Sequence, residues 1–286
     1  MDKDQLAAVR RAFARQVLAS VEVSDARLQD AFACVKRERY LGPGPWPIVR
    51  AFGYVPTQDA DPVRLYEDVL VGLIPERGLN NGMPSYHAFL MARATVRPGD
   101  HVVHIGAGVG YYTAILAKLT GPTGRVTAVE YDPELARRAA RNLADLPNVQ
   151  VIHGDGFAMA FDAADVIYVN AGTTGPAEPW LDSLRDGGRL ILPLTAGRET
   201  PAAWGPLSRH GAVFRITRVG NAFQARWVSD VGLYPCEGGR EEEAERALEA
   251  ALLRGGGRRV TRLVRTDKLP AEQCWLRNPR WSLTYY

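Results

Sequence analysis

Cysteine is scarce in this chain of 286 residues. Only three are present, Cys34, Cys236 and Cys274, and they are far apart and odd in number. Small disulfide-rich domains carry closely spaced, even sets of cysteines, and structural zinc sites carry paired ones. The scarcity therefore argues against a disulfide framework and against a metal site, and it predicts a reducing, cytoplasmic environment.

Long apolar runs and an excess of one charge are also missing. No apolar stretch approaches the about 20 residues that cross a membrane. The N-terminal segment has no apolar core of a secretory signal, so we expect none. The 35 basic and 32 acidic residues give a formal net charge of +3. Such a balance gives no reason to expect nucleic acid as a partner.

From about residue 96, the chain alternates between strand-like and helix-like stretches. The predicted strands are His101–Ile105, Arg125–Val129, Val149–His153, Asp165–Asn170 and Arg189–Leu194. Strands that alternate with helices at this spacing form βαβ units. The sequence therefore predicts an α/β fold with a mostly parallel sheet and helices on both faces.

The pattern divides the chain into three predicted segments. Residues 1–95 contain helical stripes and loops, and residues 96–235 contain the α/β core, which ends in a hairpin around Gly220. Residues 236–286 form an extension in which Arg240–Arg254 is a predicted helix. Leu248 and Leu252 lie on its apolar face, and we expect them to pack against the hairpin or the sheet edge.

Glycine is concentrated where the first core strand ends. Gly106, Gly108 and Gly110 follow that strand and precede a helix, in the spacing G-x-G-x-G. Glycine lets the backbone come close to a ligand, and the amides of a helix start attract electron-rich groups. The dinucleotide fingerprint needs G-x-G-x-x-G, but Tyr111 stands at the last position, which disfavours a pyrophosphate cofactor. By itself, this loop is also compatible with a plain strand-to-helix turn.

Acidic residues stand at the ends of the next two strands. Glu130 lies twenty residues after Gly110 and is placed to accept hydrogen bonds from both hydroxyls of a ribose; the alternative is an acid favoured by a helix N-terminus. Asp155 and Gly156 follow the third strand, where Asp155 either accepts the amine of an adenine or closes a turn. The three strand ends together predict a site for S-adenosyl-L-methionine.

Several short motifs are similar to those of one enzyme family. They are Ser24–Phe32, Val35–Glu38, Leu65–Asp68, Gly78–Ala88, Ile105–Tyr111, Gly154–Gly156 and Gly187–Pro193. Over about residues 10–235, the chain resembles the protein-L-isoaspartate O-methyltransferases. Many methyltransferases share the glycine loop, whereas the N-terminal motifs and the Gly187–Pro193 run are more specific.

The resemblance implies a Rossmann-like class I methyltransferase fold, for which we expect a seven-stranded, mostly parallel sheet and an N-terminal helical lid. Residues 236–286 have no counterpart in the family, and their pattern predicts a C-terminal α+β extension. It implies carboxyl O-methylation of isoaspartyl residues in a protein or peptide, a protein-repair reaction that converts S-adenosyl-L-methionine to S-adenosyl-L-homocysteine. The implied cofactor-binding residues are His104, Gly106, Ala107, Gly108, Gly110, Tyr111, Glu130, Asp155 and Gly156.

The chain departs from the family at the acceptor segment. The family pattern G-Q-T-I-S-x-P reads Gly78 to Pro84 here, so that the family's serine falls on Gly82 and its threonine on Asn80. Asn80, Asn81 and Ser85 are the candidate catalytic residues, and His87 is either a further hydrogen-bonding group or a structural histidine. The family usually has an acid where this chain has His104. Two alternatives therefore stay open: a divergent enzyme with another peptide or small-molecule acceptor, and a cofactor-binding module without catalysis.

Overall fold

A computed structural model describes residues 2–51, 53–197, 200–202, 205–207 and 210–286. Its helices are α1 (Lys3–Ala19), α2 (Ala26–Cys34), α3 (Arg37–Leu41), α4 (Pro84–Ala94), α5 (Tyr111–Thr120), α6 (Pro133–Asn142), α7 (Glu178–Ser183) and α8 (Glu242–Arg254). Its strands are β1 (Pro47–Arg50), β2 (Gly53–Pro56), β3 (Gly72–Ile74), β4 (Leu79–Asn80), β5 (His101–Ile105), β6 (Arg125–Glu130), β7 (Val149–His153), β8 (Ala164–Val169), β9 (Leu184–Ala196), β10 (Thr200–Ala202), β11 (Gly205–Leu207), β12 (His210–Val219), β13 (Ala222–Asp230), β14 (Arg262–Val264), β15 (Cys274–Arg277) and β16 (Ser282–Thr284). None of the described helices is long and apolar enough to cross a membrane.

The chain forms two compact units. The first contains Met1–Asp100, Ala107–Gly154 and Pro201–Gly205, and the second contains His101–Gly106, Asp155–Thr200 and Pro206–Tyr286. Each unit is built from pieces that are distant in sequence. The three segments predicted from the pattern remain a prediction.

Four helices of the first unit pack on one another. The capping box of Asp2 and Gln5 starts α1, and α1 contacts α2 and α4, while α2 contacts α5. The helix α1 buries Phe13 and Val17. The strands β6 and β7 of this unit run parallel, and α6 begins at Pro133 behind the N-cap Asp132.

Among the described residues of the second unit, eight strands form one sheet in the order β15, β16, β14, β13, β12, β9, β8, β5. The neighbours β5, β8 and β9 run parallel, whereas every pairing from β9 outward is antiparallel. The hairpin of β12 and β13 turns at Gly220, which confirms that prediction. Within β9, the register against β8 shifts between Leu184 and Arg189.

The predicted count of seven strands is too low, because the described sheet of the second unit alone has eight strands, three of which belong to the C-terminal extension. Phe223 of β13 pairs with Leu263 of β14, and β16 and β15 continue outward. An uncovered edge strand presents unpaired N–H and C=O groups. The extension therefore provides hydrogen-bond partners for the backbone of β13, the outer strand of the hairpin.

The helix of the extension is α8, which starts two residues later than predicted and contacts β9, β12 and β15. It buries Leu248 and Ala251, which lie three residues apart on one face. Leu252 is only half-buried, although the sequence placed it on the apolar face. Leu253 points outward with 73% of its surface exposed.

Candidate active site

The glycine loop passes from Gly106, in the second unit, into Ala107–Gly110 of the first. Ala107 donates from its N–H to the carbonyl of Val129 at 3.1 Å. Gly110 is the N-cap of α5 with φ +90°, and a β-carbon there would stand 2.6 Å from Leu143 Cδ1. Only glycine fits, since both the left-handed backbone and the space exclude a side chain. The loop thus leads directly into the N-terminus of α5.

Glu130 lies at the end of β6 beside this loop and is only 7% exposed. Its carboxylate accepts the N–H of Gly108 at 2.6 Å and the N–H of Asp132 at 2.9 Å. Burial raises the pKa of Glu130, and these backbone hydrogen bonds oppose the shift. Each carboxylate oxygen retains a lone pair after one bond. Glu130 therefore keeps the capacity for two further donors, which is what the two hydroxyls of a ribose offer.

Two residues predicted from the cofactor motif have fully buried side chains. The ring of Tyr111 lies against Tyr40 and 5.6 Å from the guanidinium of Arg37. Tyr111 can therefore meet a cofactor only through its backbone. The ring of His104 packs edge-on against that of Tyr168, with the ring centroids 5.5 Å apart. Burial lowers the pKa of His104 to about 3, so its imidazole is neutral at ordinary pH.

Asp155 and Gly156 belong to the second unit. Asp155 Oδ1 accepts the N–H of Phe157 at 2.9 Å, and the carbonyl of Gly156 accepts the indole N–H of Trp180 at 2.7 Å. The extension comes close to the same place. A β-carbon on Gly238 would stand 2.7 Å from Asp155 Oδ2. The motif spacing gave no sign of this approach.

The candidate catalytic residues differ in what their polar groups already do. Asn80 donates to the carbonyl of Gly78 at 3.3 Å and accepts the N–H of Gly82 at 2.9 Å, so it closes the turn. Ser85 is buried in the first turn of α4, and its N–H donates to Asp68 Oδ1 at 2.8 Å. Asn81 is only 6% exposed, and its Nδ2 has no hydrogen-bond partner among the described residues. Asn81 therefore has a buried donor still to be used.

Tyr112 ties the acceptor segment to the first turn of α5. Its hydroxyl donates to the carbonyl of Gly82 at 3.1 Å, and its ring stacks on His87 with the centroids 3.5 Å apart. A second tie joins Arg77 to Asp132 at 2.5 Å. The first unit thus brings the segment Gly78–His87 beside the helix that follows the glycine loop. Neither tie was predicted, because both join residues distant in sequence.

The N-terminal motifs of the resemblance also meet in the first unit. Arg37 is fully buried and donates to the carbonyls of Leu65 at 2.5 Å and Glu67 at 3.0 Å. The hydroxyl of Tyr66 donates to Glu38. Together they fix the segment that carries Asp68, the acceptor for the first turn of α4. The N-terminal motifs therefore hold in place the loop from which Asp68 accepts the N–H of Ser85, at the start of α4.

A glycine loop ahead of a helix, an acid at the next strand end and an alternating α/β core define a class I methyltransferase. Solved structures agree. A protein-L-isoaspartate O-methyltransferase superposes with a TM-score of 0.65 at 25% identity, covering 84% of this chain and 69% of the other. The fold is also that of a Plasmodium falciparum member solved with S-adenosyl-L-homocysteine, with a TM-score of 0.60 at 18% identity over 80% of this chain and 98% of that one.

Sequence comparison identifies the family. The family described as protein-L-isoaspartate(D-aspartate) O-methyltransferase matches residues 65–204. A relative named protein-L-isoaspartate O-methyltransferase 2, from an Anaeromyxobacter strain, is 31% identical over 218 residues, covering 72% of this chain and 81% of the relative. One from Methanothrix thermoacetophila is 36% identical, covering 51% and 73%. The chain belongs to the protein-L-isoaspartate O-methyltransferase family. The chain spans only about half of the length of some other relatives. The protein-L-isoaspartate O-methyltransferase of Thermotoga maritima, for example, is 34% identical, and the match covers 48% of this chain and 46% of the relative.

Proposed function

We propose that this protein is an S-adenosyl-L-methionine-dependent methyltransferase that esterifies the carboxylate of isoaspartyl residues in proteins or peptides. One observation carries the proposal: the hydrogen bond from Tyr112 to Gly82 holds the acceptor segment against the first turn of α5. The donor loop and the acceptor segment are thereby neighbours within one unit. Donor and acceptor can react only if both are held at one place.

The residues at the glycine loop fit the proposed cofactor. Gly110 places no side chain at the N-terminus of α5, and Glu130 has acceptor capacity for the ribose. We propose that Gly106, Ala107, Asp155, Gly156 and the backbone of Tyr111 complete the cofactor-binding set, with Asp155 accepting the adenine amine. His104 remains in this set from the family pattern alone. When bound, S-adenosyl-L-methionine supplies an electrophilic methyl group.

The reaction requires no covalent intermediate with the protein. A carboxylate is ionised at neutral pH, so it attacks without a general base. Holding the two reactants in line is worth about 7–11 kcal/mol. The acceptor segment supplies that orientation, and Asn81 offers a buried donor for it.

We propose the cytoplasm as the compartment, because its reducing conditions suit three unpaired cysteines.

A methyl-ester assay tests this function. The protein is incubated with methyl-labelled cofactor and an isoaspartyl peptide, and base-released methanol is counted against the matching aspartyl peptide. We expect ester formation on the isoaspartyl peptide. Equal transfer to both peptides would point to the divergent-acceptor alternative. Binding of S-adenosyl-L-homocysteine in calorimetry without turnover on either peptide would favour the non-catalytic module.

A further inference from the structure

We propose that Asn170 binds the methionyl ammonium group of S-adenosyl-L-methionine through its side-chain oxygen. The inference rests on the proposed function and deepens it, because it adds a cofactor-binding residue to the proposed set. Three features of the second unit carry it: the place of Asn170 beside Gly106, its partial exposure, and the hydrogen bonds that its side chain makes and leaves unmade.

Asn170 lies at the carboxyl end of β8, beside the end of β5. The parallel pairing of these strands extends to Ile105 and Val169, and the N–H of Asn170 then donates to the carbonyl of Ile105 at 2.8 Å. Gly106, the next residue, begins the glycine loop, and a β-carbon on it would stand 3.0 Å from the carbonyl oxygen of Asn170. Ligands of parallel α/β sheets bind outside the carboxyl ends of the strands. Asn170 therefore stands at the edge where the cofactor is expected.

This edge of the second unit is open to an incoming group. Ile105 and Val169, the last paired residues of the two strands, are 3% and 0% exposed. The residues that follow them, Gly106, Asn170 and Ala171, are each half-buried. The two strands thus bury their apolar ends, and the polar residue beyond them reaches the surface. A ligand can therefore contact Asn170 without displacing part of the core.

The side chain of Asn170 has used its donor and kept its acceptor. Nδ2 donates to the carbonyl of Gly106 at 3.3 Å, and because a carbonyl can only accept, this bond identifies the nitrogen end of the amide. Oδ1 accepts no hydrogen bond from a described residue, and it is not among the side-chain atoms that are buried without a partner. The carbonyl of Gly106 also retains a second lone pair. The edge therefore offers two oxygen acceptors to a ligand.

Two oxygen acceptors select a hydrogen-bond donor from the cofactor. The methionyl carboxylate has only acceptors and does not fit them. The proposed function already gives the ribose hydroxyls to Glu130 and the adenine amine to Asp155. The donor that remains is the methionyl ammonium, which carries three N–H groups and a positive charge. Hydrogen bonds from a charged donor are stronger than neutral ones. The bond from Nδ2 to Gly106 therefore holds Oδ1 in place as an acceptor for the ammonium.

Calorimetry with two ligands tests this assignment: S-adenosyl-L-homocysteine, and its analogue in which hydrogen replaces the amino group. We expect Asn170→Ala to weaken the binding of S-adenosyl-L-homocysteine by about 10- to 100-fold, as the loss of one hydrogen bond to a charged group predicts. The Kd of the analogue should stay nearly unchanged. The matched control is Asn148→Ala, because Nδ2 of Asn148 also donates to backbone carbonyls, those of Ala117 at 3.2 Å and Gly121 at 3.0 Å. It should lower the melting temperature and leave both Kd values unchanged.

The outcomes separate this inference from the proposed function. A wild type that does not bind S-adenosyl-L-homocysteine would defeat the proposed function. If the wild type binds it, equal affinity for the two ligands would overturn the role of Asn170 and leave the function intact. An equal loss of affinity for both ligands in Asn170→Ala would also overturn it, because Asn170 would then act only on the shape of the loop through Gly106. If Asn170→Ala does not fold, Asn170→Leu, which fills a similar volume, is compared in the same way.

Discussion

The N–H of Gly108 donates to the carboxylate of Glu130 at 2.6 Å, which joins the glycine loop to the end of β6. The other carboxylate oxygen accepts the N–H of Asp132, which caps α6. Glu130 therefore shapes the loop before any ligand arrives, and it keeps lone pairs for one. Its place in the fold and its proposed role toward ribose depend on the same two oxygens.

We expect Glu130→Gln to weaken the binding of S-adenosyl-L-homocysteine by at least about tenfold, since hydrogen bonds to charged groups contribute about 1.5–3 kcal/mol each. Glutamine keeps the shape, but it has only one acceptor oxygen. Calorimetry gives the Kd, and a thermal melt shows that the variant is folded. Glu134→Gln, at an exposed position in the first turn of α6, is the control. A folded Glu130→Gln with wild-type affinity would remove Glu130 from the proposed cofactor site.

The sequence predicted those parts that carry local signals. The glycine loop and the hairpin turn at Gly220 each follow from residue types at fixed spacing, and each is present. The pairing of β14 with β13 was missed because it joins residues about 40 apart at an edge that no pattern marks. The departure at Gly82 was visible in the sequence. The close approach of His87 to Gly82 could not be predicted, because it depends on how α4 packs.

Asn80 and Asn81 are adjacent but have different surroundings, which gives a paired prediction. Asn80→Ala removes two hydrogen bonds of the turn and should lower the free energy of unfolding by about 1–3 kcal/mol. Asn81→Ala removes a buried amide whose Nδ2 has no partner in the described part of the chain. We therefore expect it to be less destabilising, although Asn81 is the more buried residue.

The same pair should differ in catalysis. Asn81→Ala should raise the KM for an isoaspartyl peptide without changing the affinity for S-adenosyl-L-homocysteine. Urea unfolding and steady-state kinetics on both variants measure the two effects. A larger stability loss in Asn81→Ala than in Asn80→Ala, with an unchanged KM, would assign Asn81 to the fold alone.

His104 predicts a pH dependence of stability. Burial lowers the pKa of His104 to about 3 in the folded protein, whereas an unfolded histidine titrates near about 6.5. The unfolded state therefore binds the proton first as the pH falls. The contribution to stability is complete above about 6.5 and is lost progressively between that pH and about 3.

Replacing His104 should flatten this dependence. In His104→Phe, the free energy of unfolding by urea should fall less steeply between about pH 6.5 and 4.5 than in the wild type. The comparison concerns the slope, so a constant packing difference against Tyr168 does not affect it. Parallel slopes in the two proteins would show that the imidazole is charged, or reaches solvent, within the folded state.

The last prediction concerns the extension beside the proposed adenine partner. Gly238 has φ +81°, and a β-carbon there would stand 2.7 Å from Asp155 Oδ2 and 3.2 Å from its Cγ. The carboxylate cannot move away freely, because Oδ1 accepts the N–H of Phe157 at 2.9 Å. We therefore expect Gly238→Ala to displace Asp155 and to weaken S-adenosyl-L-homocysteine binding by about tenfold, as the loss of one hydrogen bond to a charged group predicts.

Gly255→Ala is the matched control in the same extension. Gly255 also has a left-handed backbone, with φ +71°, but no atom lies within 4 Å of its β-carbon position in the described structure. Both variants should lose about 1–2 kcal/mol of stability from the backbone strain, and calorimetry should show weaker binding only in Gly238→Ala. If the two variants bind with equal affinity while their melting temperatures fall together, Asp155 does not hold the nucleoside, and the approach of the extension serves the fold alone.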